Sequence, residues 1–328
     1  MSMTALGPLP DTVERLDVVH DWRVDELIPF LDQPQEAIDE AIARLLDYRD
    51  DAKAQIYVPP SILIPPAAFA EHRTYVVVNQ KGGAGKSTTC VELAAAWVAM
   101  GYTVRIIDAD PQDASITGAW LAPNFEGVPE EERFNLQHVL YGHQPLDAAT
   151  YETAVKGLYL VPSYIDLDLV NFDGKAARDG MLRAAISRSS APVDITIIDA
   201  PPSLGKLSVN GLVAADEVIL PLKVSGLDKK ALTDLQKTIE SVQQVENPDL
   251  TVAAAVLTDW SKSKHAAQIA ATVRRDYPDV MIAPARRNVK AAAAPNYGLP
   301  LRAIDARATT AADYDQLAHL LLPVKGAA

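Results

Sequence analysis

The chain has 328 residues, of which 48% are hydrophobic and 22% are charged, and its formal net charge is −13. This length and apolar content suffice for a large buried core, whereas the acidic balance excludes a protein coated in basic surface. The single cysteine, Cys90, excludes an internal disulfide framework, and the lack of a long apolar run or a secretory signal predicts a cytoplasmic protein.

The N-terminal region differs in character from the rest of the chain. The first 55 residues contain apolar residues at helical spacing, as in "QPQEAIDEAIARLLDYRDDAKAQ". Four prolines in "YVPPSILIPPAAFAEH" then forbid a continuous helix. We therefore predict a helical extension over residues 1–55, a proline-rich connector over residues 56–73 and a main domain over residues 74–328.

From residue 74 onward, short β-branched runs alternate with helical segments. The predicted strands are "TYVVVN", "TVRIID", "LYLVPS", "DITIIDA", "EVILPL", "TVAAAVLT" and a weaker "VMIAP". The predicted helices span residues 86–100, 204–214, 227–245, 264–275 and 310–322. Because the strands are continuously apolar, they indicate a mostly parallel sheet covered on both faces. We predict a doubly wound α/β domain with its ligand site at the carboxyl ends of the strands.

The stretch "QKGGAGKSTT" lies between the first predicted strand and the first helix of this domain, which is the context of a phosphate-binding loop. Its glycines allow positive φ angles, so several backbone N–H groups can turn toward one anion, and the helix N-terminus adds a positive dipole end. The motif predicts that Lys86 reaches the β- and γ-phosphates of ATP, that the Ser87 hydroxyl binds Mg²⁺ and that Thr88 contacts phosphate. The other predicted loop contacts are Gly82, Gly83, Ala84 and Gly85.

Three aspartates follow predicted strands and fit the same site. Asp108 and Asp110 lie in "VRIIDADPQDAS", and Asp199 ends "VDITIIDA". P-loop enzymes keep the acid that holds Mg²⁺ or its water at the end of such a strand, and we assign this role to Asp199. Asp110 is placed to orient or activate the attacking water. Asp108 is either a further contact in the nucleotide site or a structural carboxylate that accepts hydrogen bonds from loop amides.

The loop holds a second lysine and lacks one glycine. In the common spacing G-x-x-x-x-G-K-[ST], the first glycine would stand at Gln80, and Lys81 follows it. A loop already neutralised by Lys86, Mg²⁺ and a helix terminus has little room for another inward cation. We therefore expect Lys81 to project away from its own nucleotide, toward that of a partner.

Four stretches in this order, "KGGAGKST", "DADPQ", "IIDAPPSLGKLSVNGLVAADEVILPL" and "RRNVKAAAAPNYGLPL", together resemble the ParA family of partition ATPases. This family belongs to the deviant Walker A group of P-loop NTPases, which also contains MinD-like proteins. The resemblance implies slow, partner-stimulated ATP hydrolysis in a face-to-face homodimer, with Lys81, Lys86 and Asp110 as catalytic residues. It also implies that Lys81 of one subunit crosses to the other subunit's phosphates, as an arginine finger does.

The resemblance further implies that the ATP-bound dimer binds DNA without sequence preference and is released through a ParB-like centromere-binding adaptor. Such a protein would be cytoplasmic and nucleoid-associated, with no membrane contact. Residues 259–307 carry nine basic and four acidic side chains, so an acidic chain can still present a basic face. The candidates for DNA binding are Lys262, Lys264, Arg274, Arg275, Arg286, Arg287 and Lys290. The alternative is that these are scattered solvated charges.

Two parts of the sequence depart from the usual family pattern or extend it. The family's adenine-contacting edge would fall around Pro284 and Asn288, but alanines replace the usual Ser and Glu just beyond it. Some ParA proteins carry an N-terminal operator-binding domain. Here the longest predicted helix of the extension is acidic and phosphates would repel it, which favours a module for dimerisation or partner docking.

Two other functions stay open. A ParA-like ATPase can position a protein cargo rather than DNA. A MinD-like membrane-associated ATPase would need a basic amphipathic C-terminal helix, and "DYDQLAHLLLPVKGAA" has one lysine and an interrupting proline.

Overall fold

The computed structural model describes residues 72–112, 116–172, 179–191, 193–226, 229–261 and 263–322. The predicted extension over residues 1–55 and nearly all of the connector over residues 56–73 lie outside the described residues, as does Lys262. The predicted division into an extension, a connector and a main domain therefore stays a prediction.

In the part of the chain that the structure describes, eight strands form one sheet. The strands are β1 (Arg73–Val77), β2 (Val104–Asp108), β3 (Tyr151–Glu152), β4 (Leu158–Val161), β5 (Ile195–Asp199), β6 (Glu217–Lys223), β7 (Thr251–Trp260) and β8 (Met281–Arg286). The α-helices are α1 (Lys86–Ala99), α2 (Ile116–Ala119), α3 (Leu136–Leu140), α4 (Leu169–Phe172), α5 (Met181–Ser187), α6 (Lys206–Ala214), α7 (Lys229–Val245), α8 (Lys264–Asp276), α9 (Val289–Ala293), α10 (Leu301–Ile304) and α11 (Thr309–Leu321).

The strand order is β3-β4-β2-β5-β1-β6-β7-β8, and every pairing is parallel except that of β3 with β4. The prediction of a doubly wound, mostly parallel α/β domain is thereby confirmed. Every predicted strand and long helix is present within a few residues of its expected ends. The sequence did not predict β3 or the short helices α2 to α5, α9 and α10, because two to seven residues give too little periodicity to recognise.

The core lies on both faces of the sheet, because successive strand residues point to opposite sides. On one face, Tyr75 packs with α1 and α11, and its ring stacks on Trp97 at 5.1 Å between centroids. On the other face, Val76 packs with α3, α5, α6 and α7. Two hydrogen bonds fix α11: Trp97 Nε1 of α1 donates to the Ala318 carbonyl, and the Tyr75 hydroxyl of β1 donates to the Leu321 carbonyl. The helix that follows the phosphate loop is therefore held from behind by the last described helix.

Candidate nucleotide site

The parallel register brings the predicted site residues to one edge of the sheet. Val77, at the end of β1, is paired with Asp199 of β5, and Asp108, at the end of β2, is paired with the same Asp199. The loop that follows β1 therefore begins beside Asp199, with Asp108 one strand further along the same edge. This is the carboxyl edge of the sheet, where doubly wound folds bind their ligands.

The phosphate loop has the conformation that its glycines permit. Gly83 and Gly85 have φ angles of 70° and 95°, in the left-handed region that favours glycine. A Cβ atom at Gly85 would also lie 3.0 Å from Cγ2 of Thr258. The Thr258 hydroxyl donates a hydrogen bond of 2.8 Å to the Ala84 carbonyl, so β7 supports the loop from below. This role of Thr258 was not predictable from the sequence, because the contact joins residues 174 positions apart.

The start of α1 is suited to an anion. Gly85 is its N-cap and no side chain caps the helix, so its first N–H groups point into the loop. Lys86, the first helical residue, is only 7% exposed. Its position at the base of the loop is that expected of a lysine that contacts the phosphates of a bound nucleotide.

Ser87 and Asp199 form a pair that fits a divalent cation. The Ser87 hydroxyl donates a hydrogen bond of 2.6 Å to Oδ2 of Asp199, and the Asp199 side chain is fully buried. Among the described residues, its Oδ1 has no hydrogen-bond partner. Burial, and after it the neighbouring Asp108, raise the pKa of Asp199 to about 8. An orphaned buried carboxylate oxygen beside a hydroxyl fits Mg²⁺, which binds through few protein oxygens together with substrate phosphates.

The other two aspartates differ from each other in their hydrogen bonds. Oδ2 of Asp108 accepts from the Thr117 amide and hydroxyl at 2.8 and 2.7 Å, and its Oδ1 accepts from the Asp110 amide at 3.1 Å. This pattern favours a structural role for Asp108. The alternative, that Asp108 contacts the nucleotide, stays a prediction. Asp110 is half-buried, which raises its pKa, and its Oδ1 accepts from the Gln112 amide at 3.2 Å. The Ser163 hydroxyl anchors the main chain by donating to the Asp110 carbonyl.

Lys81 lies on the surface of the loop, and its predicted reach toward a partner's nucleotide stays a prediction. Its side chain is exposed, and its ammonium donates to the Gly226 carbonyl in the turn after β6. Its backbone N–H donates to Oδ1 of Asn79 at 2.9 Å. The two lysines of the loop therefore differ in place, because Lys86 lies buried in the phosphate cradle whereas Lys81 lies on the surface beside it.

The predicted basic face is smaller in the structure than in the sequence. The prediction that Arg274 belongs to this face is wrong, because Arg274 is only 3% exposed. Its Nη1 donates hydrogen bonds to the carbonyls of Pro278 and Val280 at 3.0 and 3.1 Å. It therefore ties the end of α8 to the next loop and offers no charge to DNA. The prediction for Arg286 is corrected in part, because its guanidinium charge is already paired with Asp313 through Nε at 3.0 Å.

The remaining described candidates are on the surface. Lys264, Arg275, Arg287 and Lys290 are exposed. Arg275 contacts its neighbour Asp276 at 2.9 Å, and Lys290 forms an ion pair of 2.6 Å with Asp305. Exposed ion pairs of this kind are weak and can exchange with phosphate.

The predicted adenine edge lies at the end of β8. Pro284 belongs to that strand, and Asn288 is the N-cap of α9, where its side chain accepts a hydrogen bond of 2.8 Å from the Lys290 amide. The amide oxygen of Asn288 is thereby used by the backbone, while both residues stay predicted nucleotide contacts.

Sequence reasoning missed Glu92, a carboxylate in the middle of α1. It is 2% exposed, its Oε1 accepts a hydrogen bond of 2.7 Å from the Leu301 amide, and burial raises its pKa to about 7. The one signal that could have found it is a lone acid among the apolar residues of "CVELAAAW". Such a residue at a core-facing position indicates a specific buried partner.

The strand, glycine loop and helix, with a buried lysine and a Ser–Asp pair at the carboxyl edge of a parallel sheet, define a P-loop NTPase. A family model described as an AAA domain matches residues 72–252. The chromosome partitioning protein ParA of Caulobacter vibrioides is 36% identical over 253 residues, which cover 75% of this chain and 92% of that protein. The chromosome-partitioning ATPase Soj of Treponema pallidum is 32% identical, over 77% of this chain and 98% of that protein. The chain belongs to the ParA family of partition ATPases, which confirms the resemblance.

A solved structure that contains a nucleotide analog is also similar to this chain. Cobyrinic acid a,c-diamide synthase from Mycobacterium smegmatis, with bound ATP analog and magnesium, has a TM-score of 0.59 and 28% identity. The match covers 76% of this chain and 93% of the synthase. Within the described residues, no helix is both long enough and apolar enough to cross a membrane.

Proposed function

We propose that this protein is a DNA-partition ATPase whose ATP-bound subunits pair face to face, bind DNA without sequence preference and separate after partner-stimulated hydrolysis. The observation that carries the proposal is the difference in burial between the two lysines of one loop. Lys86 is buried where it can contact its own nucleotide, and Lys81 is exposed at the edge of the same loop. A cation in that place is suited to the triphosphate of a second subunit.

Each group of the site has a role in the proposed reaction. The N–H groups at the start of α1 and the Lys86 ammonium bind the β- and γ-phosphates. Ser87 and Asp199 would hold Mg²⁺, which neutralises charge on the phosphate oxygens when bound. Asp110 orients the attacking water, and its raised pKa suits a group that accepts a proton. Lys81 of the partner subunit counters the charge that develops as the γ-phosphoryl leaves.

The same arrangement explains why the pairing would depend on ATP. Two triphosphates lie between the subunits, and each is contacted by a lysine from either side. ADP lacks the γ-phosphate, so hydrolysis removes the group that the partner's Lys81 binds and the dimer loosens. An in-trans cation of this type contributes about 10³ to 10⁵ in rate in related phosphoryl-transfer enzymes.

DNA binding is assigned to the exposed cations on α8 and in the segment after β8, namely Lys264, Arg275, Arg287 and Lys290. A few phosphate contacts per subunit give weak binding, but pairing two subunits doubles them and raises the apparent affinity. Each phosphate contact adds roughly 0.9 to the slope of log affinity against log salt. DNA binding would thus follow the nucleotide state through dimer formation.

The decisive experiment compares Lys81→Ala with Lys223→Ala. Lys223 lines the same crevice as Lys81 but is paired with Asp259 at 3.0 Å, which makes it a matched control. We expect Lys81→Ala to bind ATP yet to remain monomeric in MgATP by light scattering and to lose stimulated hydrolysis, whereas Lys223→Ala behaves like the parent. A Lys81→Ala protein that still dimerises and turns over normally would refute the proposal.

A second experiment tests the DNA assignment. The charge reversals Arg287→Glu and Lys290→Glu should abolish co-sedimentation with DNA in MgATP while ATP binding is retained. Anionic liposomes serve as the comparison, because a MinD-like protein would bind them instead. The structure offers little support for that alternative, since α11 uses its apolar residues Tyr314, Leu317 and Leu321 in the core. Whether the DNA-bound protein carries a replicon or a protein cargo depends on the adaptor, which a ParB-like protein would supply.

A further inference from the structure

The segment Gly298–Leu301 is held from two directions by groups near the nucleotide site. The indole N–H of Trp120 donates a hydrogen bond of 2.8 Å to the Leu299 carbonyl. Two residues further on, the Leu301 amide donates to the buried carboxylate of Glu92 at 2.7 Å. Gly298 has a φ of 65°, and a Cβ atom on it would lie 3.5 Å from the Trp120 carbonyl oxygen. The main chain therefore passes closely over Trp120.

Trp120 is connected through hydrogen bonds to Asp110, the residue to which the proposed function assigns the attacking water. It directly follows α2, and its amide closes that helix by donating to the Ile116 carbonyl at 3.0 Å. In the same helix, Thr117 is bound through its amide and hydroxyl to Asp108, whose other oxygen holds the Asp110 amide. A shift of the chain at Asp110 is thus transmitted to α2. Segments of this kind are ordered by the γ-phosphate in P-loop proteins and released on hydrolysis.

The chain that precedes the Gly298–Leu301 segment carries residues of the proposed DNA face. Arg287 and Lys290 lie at the start of α9, and the ion pair of Lys290 with Asp305 joins that start to the chain just after α10. Residues 287–305 form one unit. Its ends meet at this exposed ion pair, whereas its base, the Gly298–Leu301 segment, is held by the hydrogen bonds with Trp120 and Glu92. Glu92 fixes this base to α1, and Trp120 fixes it to α2.

We propose that Trp120 couples the nucleotide state to the basic segment at Arg287 and Lys290, through its hydrogen bond to Leu299. Of the two anchors, Glu92 belongs to a fourteen-residue helix packed into the core, whereas Trp120 belongs to the chain that follows the water-orienting aspartate. A change at the γ-phosphate reaches the base of the unit through Trp120. This inference rests on the proposed function and adds a positioning residue that contacts neither ATP nor DNA.

The test is Trp120→Phe, which keeps an aromatic ring and removes the N–H donor. The control is Trp97→Phe, because Trp97 is also buried and also donates its indole N–H to a backbone carbonyl, that of Ala318 at 3.0 Å. For each protein, the affinity for a DNA duplex is measured in MgADP and in a non-hydrolysable ATP analog with Mg²⁺. Nucleotide affinity and hydrolysis without DNA are measured beside it.

We expect Trp120→Phe to keep its nucleotide affinity and its basal hydrolysis, and to reduce the ratio of the two DNA affinities by about fivefold or more, the lower end of ordinary allosteric couplings. Trp97→Phe should keep the parent ratio. An unchanged ratio in Trp120→Phe overturns the inference and leaves the proposed function standing. A parent protein that binds DNA equally in both nucleotides overturns the proposed function and this inference with it.

A measurement on the parent protein covers the case in which Trp120→Phe does not fold. Hydrogen exchange of peptides that span residues 298–304 should slow when the ATP analog replaces ADP, because the Trp120 anchor tightens. Peptides from the centre of α11 serve as the reference. Equal exchange of the 298–304 peptides in both nucleotides, in a parent protein whose DNA binding does depend on nucleotide, contradicts the inference.

Discussion

The substitution Asp199→Asn should stabilise the metal-free protein while abolishing its response to MgATP. Asn has nearly the same size as Asp and can still accept the hydrogen bond from Ser87, which is 2.6 Å in the parent. Asn is neutral at every pH, whereas the fully buried carboxyl group of Asp199, which lies next to Asp108 and whose Oδ1 has no partner in the described part of the chain, must take up a proton to be neutral in the folded protein. The substitution therefore relieves a cost that the parent bears until a cation is bound.

The magnitude follows from the pKa of Asp199. Its ordinary value of 3.8 is raised to about 8 in the folded protein. The native state thus holds a proton that the unfolded state has released, and the free energy of unfolding falls as pH rises from about 4 to about 8. Between the unfolded-state pKa of 3.8 and pH 7, this effect lowers the free energy of unfolding of the parent by at most about 4 kcal/mol, at 1.36 kcal/mol per pH unit. In a domain of this size that is on the order of 10 °C in Tm.

The assay is thermal unfolding followed by circular dichroism, with EDTA or with MgATP, at pH 4.5 and at pH 7.5. Without metal, Asp199→Asn should melt well above the parent at pH 7.5, and the difference should shrink to a few degrees at pH 4.5, where the linkage free energy is only about 1 kcal/mol. With MgATP, the parent should gain stability and Asp199→Asn should gain little. If the metal-free variant melts below the parent at pH 7.5, the reasoning about a strained buried carboxylate is wrong.

Three other predictions concern the loop and the core. Gly85→Ala places a side chain at a φ of 95° and against Thr258. We therefore expect ATP binding, measured by calorimetry, to weaken by roughly 1–3 kcal/mol. The control is Gly180→Ala, whose added methyl group meets no atom within 4 Å and should have no effect. Arg274→Ala orphans two carbonyl groups and should cost about 2–4 kcal/mol in urea unfolding, with unchanged DNA affinity per folded molecule. Tyr314→Phe removes a buried hydroxyl contact of 3.0 Å and should cost about 1 kcal/mol in the same assay.

The features that were predictable from the sequence are those carried by contiguous residues. The parallel sheet follows from continuous apolar runs, and the phosphate loop follows from glycines and Lys86 placed between a strand and a helix. The exposure of Lys81 could also be expected, because a loop that already holds Lys86 has little electrostatic room for a second buried cation. In each case a local pattern and elementary chemistry lead to the same result.

The features that were not predictable depend on contacts between distant residues. Glu92 meets Leu301 across 209 positions, and Trp120 meets Leu299 across 179. Arg274 was misjudged for a related reason, since an arginine near the end of a helix can either face solvent or turn back onto the carbonyls that follow. Only the packing of α8 against its neighbours decides between these positions, and no residue near Arg274 in the sequence indicates it.

The hydrogen bond from Tyr75 to Leu321 joins residues 246 positions apart, and α11 covers the back of α1. During translation, the strand and helix on either side of the phosphate loop emerge long before the helix that buries their apolar face. The ribosome must release the chain through α11 before that face is covered. Messages truncated ahead of α11 would accordingly yield products that expose this surface, which makes them targets for chaperones and proteases rather than weak ATPases.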